Sequence, residues 1–104
     1  MQQDQTSRQL GTVRRHLLDR QLLKALTLLR PLVEQRTEWA LDSSLESLET
    51  NYKTMLSYVR QGVDDPLREK VYDDLLRKAY ALVCRAEWMT RLRRHPHYQT
   101  EHPD

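Results

Sequence analysis

The chain has 104 residues, of which 31% are charged and 38% hydrophobic, with two Gly, four Pro, one Cys and no Phe. That length gives one domain or a piece of a larger protein, and the scarcity of Gly, Pro and Cys excludes collagen, a disulfide framework and low-complexity coil. Net charge is +2, and its whole excess lies after residue 52, since residues 1–52 hold seven groups of each sign.

Leucine fills 18 positions while the β-branched aliphatics supply six Val and no Ile. Leu, Arg, Lys, Gln and Glu keep rotamer freedom in a helix, so the composition predicts few, long helices and no sheet. The expected fold is all-α: three to four helices, as an antiparallel bundle or helical hairpins, with a long final helix. Residues 1–94 form the expected helical domain, and 95–104 a polar, proline-containing tail or linker.

In chain order, Thr6-Ser7-Arg8-Gln9 has the form of a capping box. It opens a first helix from about Ser7 to Asp19, with Leu10, Val13, Leu17 and Leu18 on one face. A break is expected near Asp19-Arg20-Gln21, although no Gly stands there. Apolar residues then crowd from Leu22 to Val33, too densely for one stripe, so this segment is expected to touch neighbours on more than one side. Pro31 lies inside it and predicts a kink or a stop. Thr37 to Asp42 reads as a connection anchored by Trp39.

The third helix is expected from about Ser44 to Gln61. Ser43 to Glu46 forms a second capping box, and Gly62 takes the left-handed position that ends the helix. Asp64-Asp65-Pro66 starts the fourth, because a proline at the first helical position lacks an N–H that would be unpaired anyway. Leu67, Val71, Leu75, Ala79, Leu82, Ala86 and Met89 make its stripe, to roughly Arg93. The short joint makes helices three and four an antiparallel hairpin.

No residue pattern points to catalysis. Asp73 and Asp74 are expected to pair with Arg77 and Lys78 four residues on, not to act as acid and base. Cys84 stands alone and is expected to be a buried small hydrophobe. His95, His97 and His102 lie in the tail, without the fixed surroundings that a metal site needs. No nucleophile, base and orienter come together, so no enzyme, cofactor or metal is expected. The start, Met1 to Gln9, has no apolar signal core, and the most apolar stretch is too short and too charged to span a membrane. The expected compartment is the cytoplasm.

The aromatic residues are the better guide. Tyr52, Tyr72 and Tyr80 lie on or beside the apolar stripes, whereas Tyr58 and Trp88 fall off them. The end of the fourth helix joins Trp88, Met89 and Leu92 to Arg85, Arg91 and Arg94, the one interaction surface the sequence suggests. A helix of about 28 residues spans about 42 Å, longer than so small a domain needs. Its last third is therefore expected to project past helix three and leave Trp88, Met89 and Leu92 without a partner in the chain, open to dimerisation. The alternative is nucleic-acid binding through Arg14, Arg15, Arg91, Arg93 and Arg94.

The run from Leu17 to Leu29, with Ala25-Leu26 at its centre and Leu29 and Leu32 continuing the face, resembles the turn and second helix of a tetratricopeptide repeat. The resemblance covers residues 10–35. It implies a non-catalytic scaffold that binds proteins or peptides, as the N-terminal helical part of a larger bacterial protein.

Overall fold

The computed structural model describes residues 2–62 and 66–94, with side chains between residues 5 and 92 of these. Among the described residues there are four α-helices, one short 3₁₀ turn and no strand. The helices are α1 (Gln2–Leu18), α2 (Leu22–Gln35), α3 (Asp42–Arg60) and α4 (Pro66–Arg94), and the 3₁₀ turn is Thr37–Trp39.

Side-chain pairs give the directions. Arg36 at the end of α2 donates to Thr6 near the start of α1, and Arg30 of α2 pairs with Glu49 of α3. On α4, Glu87 meets Arg14 while Asp73 meets Arg20. The helices therefore run up, down, up, down, and α4 closes the bundle against α1 and α3. At about 1.5 Å per residue the 29 residues of α4 span about 44 Å, so it follows the long axis of a body 55 × 27 × 20 Å. Among the described residues no helix is long and apolar enough to cross a membrane.

One core runs through all four helices. Leu10 and Val13 of α1, Leu22 and Leu29 of α2, Leu45 of α3 and Val83 of α4 are almost fully buried, and Trp39 anchors the α2–α3 connection as expected. Leu23 and Leu28 are exposed, so the crowded apolar segment is not covered all round. Pro31 does not stop α2. It lies on the exposed side, and buried Leu32 and Val33 hold the last turn in helical form.

Both capping boxes fail. Helix α1 begins at Gln2, so Thr6 lies inside it; Thr6 is buried and accepts from the Arg36 guanidinium at 2.7 Å. Helix α3 begins at Asp42 after Leu41, with no side-chain cap, because burial of Leu41 draws the first turn back past Ser43. The expected Asp cap of α4 lies outside the described residues, while Pro66 does open that helix.

The α1–α2 break is real and needs no glycine. Arg20 adopts the left-handed conformation, φ 59°. Its N–H reaches the Leu17 carbonyl, and the Gln21 N–H reaches that of His16 at 2.8 Å, the bond pair of a Schellman motif. Contacts with α4 hold this arginine there. The Arg20 guanidinium meets Asp73 at 2.7 Å and lies over the Tyr72 ring, 5.3 Å from its centroid. The Tyr72 hydroxyl donates to the Arg20 carbonyl at 2.6 Å and accepts the Leu22 N–H at 3.3 Å. Asp73 is thus committed to Arg20 and not to Arg77, whereas Asp74 and Lys78 pair as expected at 3.0 Å.

Candidate interaction face on the last helix

Helix α4 divides into an inner and an outer line. Leu75, Ala79, Leu82, Val83 and Ala86 face the core. Leu67 and Val71, read from sequence as the start of the same stripe, are 59% and 42% exposed. They belong to another line, which runs Leu67, Val71, Asp74, Lys78, Ala81, Arg85, Trp88, Leu92 in alternating steps of four and three. Every member is exposed or half-buried.

Helix α3 borders this line and makes a groove with it. At one end Met55 and Tyr58 face Leu67, Val71 and Leu75 around a space of about 450 Å³. Toward the other end Ser44 and Ser47 face Ala81 and Arg85 around about 280 Å³, and Asn51 and Lys78 line both spaces, so the groove is continuous. The first part is apolar with a polar rim. The second has Leu48, Ala81 and Leu82 in its lining and two basic residues, Lys78 and Arg85, beside it. Arg85 has no ion pair among the described residues, whereas Asp74 and Lys78 neutralise each other.

The residues singled out from sequence are not one surface. Trp88 is 58% exposed and Arg85 and Arg91 are exposed, but Met89 packs against the core and Leu92 is half-buried. The Arg94 side chain lies outside the described ones. The expectation that the end of α4 stands free is therefore corrected. Helix α1 covers it, with Ala86 and Thr90 buried and Arg14 held by Glu87 at 3.1 Å. Arg14, one of the basic set considered for nucleic acid, is thus paired with Glu87. Cys84 is exposed, contrary to the expectation of burial, because it falls on the helix side facing neither α1 nor α3.

Sequence reading flagged Tyr58 but missed Leu67 and Val71 as surface groups. The signal that finds them is the step of 3.5, distinct from the 3.6 of a helix packed in its own core. Among the described residues no group of His, Cys, Asp or Glu is arranged to hold a metal. The chemistry available along the groove is burial of apolar surface combined with charge pairing. Comparison of the chain with protein-family models, with curated proteins and with solved structures yields no match.

Proposed function

We propose that the chain is a non-catalytic, cytoplasmic protein-interaction module whose binding face is the outer line of α4 with the adjoining α3 groove. One observation carries this reading. Three large hydrophobic side chains, Leu67, Val71 and Trp88, stay open to water along this one line, with exposed Tyr58 of α3 facing the first two across the groove, and exposed apolar surface on one face marks a protein contact. The antiparallel α1–α2 hairpin is also the kind of element from which a helical-repeat scaffold is built, which supports membership of a larger assembly.

The test is site-specific photocrosslinking in cells that make the chain, with a photoreactive residue at Val71 or, in a second variant, at Trp88. A control variant carries it at Glu34, an exposed polar position on α2. Protein adducts at both α4 positions and none at Glu34 are expected. Adducts absent from α4, or equally frequent at Glu34, would refute the reading.

A further inference from the structure

We propose that the outer line of α4 pairs with the same line of a second copy of this chain, the two helices running antiparallel. The proposal rests on that line being the binding face, and it adds the identity and direction of the partner.

Steps of four and three keep a seam facing a neighbouring helix when two helices wrap around each other with a left-handed twist. In this line the seam is self-complementary. A two-fold axis placed between Lys78 and Ala81 sets Leu67 against Leu92, Val71 against Trp88, Asp74 against Arg85, and Lys78 against Ala81. Apolar groups meet apolar groups at both ends. A carboxylate meets a guanidinium that has no ion pair among the described residues, and the lysine stem crosses the smallest side chain of the set.

Other arrangements fail this test. A parallel pairing in register sets Asp74 on Asp74, Lys78 on Lys78 and Arg85 on Arg85. Sliding the antiparallel pair by one heptad in one direction sets Leu67 on Arg85 and leaves Trp88 and Leu92 without partners. Sliding it in the other sets Asp74 on Leu92 and Lys78 on Trp88.

Shape agrees with charge. Trp88 is an exposed ring, and the groove beside Val71 is an apolar space of about 450 Å³. The axis brings Trp88 of the second copy to Val71, hence to that groove, and symmetry does so twice.

Charge reversal in the full chain tests pairing and direction together. The expected result is that the unaltered chain sediments as a dimer at equilibrium. Asp74→Arg alone and Arg85→Asp alone each weaken it about tenfold or more, because each sets like charges opposite one another at two places. Mixing these two variants is expected to recover a dimer containing one of each, and combining both changes in one chain to recover the homodimer. Far-UV circular dichroism checks that each variant keeps its helices. A chain that stays monomeric, or a mixture that does not recover, overturns the proposal. If the chain is monomeric yet photocrosslinks another protein from Val71, the binding face stands and the second copy is wrong; if Val71 crosslinks nothing, the binding face fails too.

Discussion

Replacing Tyr72 with Phe isolates one hydroxyl that fastens the α1–α2 joint to α4. The ring keeps its place beneath the Arg20 guanidinium, so the cation–π contact survives. Two hydrogen bonds disappear: the one donated to the Arg20 carbonyl at 2.6 Å and the one accepted from the Leu22 N–H at 3.3 Å. They are not equivalent. The Arg20 carbonyl sits in an exposed turn where water replaces the hydroxyl, so its loss contributes little. Leu22 is 1% exposed, it opens α2, and the preceding Gln21 supplies no side-chain cap. Its N–H is one of the orphan donors of a helix start, and leaving it unpaired against buried surface costs about 1–2 kcal/mol. A domain of this size then melts roughly 5–12 °C lower. Urea titration and thermal melting followed by circular dichroism measure the effect. Tyr80→Phe is the control, since Tyr80 is likewise half-buried and its hydroxyl makes no hydrogen bond among the described residues; it is expected to stay within about 0.5 kcal/mol. A loss below about 0.5 kcal/mol for Tyr72→Phe, or equal losses for the two variants, would refute the assignment of the joint to this hydroxyl.

Two further changes probe the backbone and the core. Ala40 follows the 3₁₀ turn with φ 55° and is exposed. Ala40→Gly removes left-handed strain of about 1–2 kcal/mol while freeing the unfolded chain, for a net gain of about 0.5–1 kcal/mol in chemical denaturation. A loss of stability would mean that the turn is not left-handed in solution. Burial, with a smaller contribution from Tyr72, raises the pKa of the Tyr52 phenol above its ordinary value of 10.0. The unfolded chain then ionises first, so the stability Tyr52 contributes is complete below that value and falls as pH rises toward its folded-state pKa. Tyr52→Phe is expected to flatten the alkaline limb of a stability–pH curve; an unchanged limb would contradict the burial.

Much of the fold is legible one residue at a time, where a side chain has a single consequence. Gly62 takes φ 77° at the end of α3, Pro66 opens α4, and Trp39 fills the core beside the connection. Signals open to competition mislead. Thr6 and Ser43 have the chemistry of caps, but a helix start is also set by what its neighbours bury, and packing of Thr6 and Leu41 moved both starts toward the N-terminus. Asp73 had a cation four residues away and found another 53 residues away in Arg20, because the left-handed turn aims that guanidinium at α4. The Tyr72 bonds are of the same kind. No local pattern announces a hydroxyl that pairs with backbone 50 residues earlier.

The candidate face was half legible for a related reason. Trp88 and Arg85 stood out by residue type, while Leu67 and Val71 were absorbed into the core stripe because leucine and valine at helical spacing look the same on either side of a helix. Once the two lines are separated, the proposed pairing gives the first turns of α4 a role. A helix needed only to close the core could begin near Tyr72, the first to pack on that core. Instead it begins at Pro66 and carries Leu67 and Val71 ahead of the packed region. In the antiparallel pairing proposed above, those two residues are the counterparts of Leu92 and Trp88 about an axis between Lys78 and Ala81. On that proposal, the first turns of α4 serve a contact made outward as well as the core the helix closes.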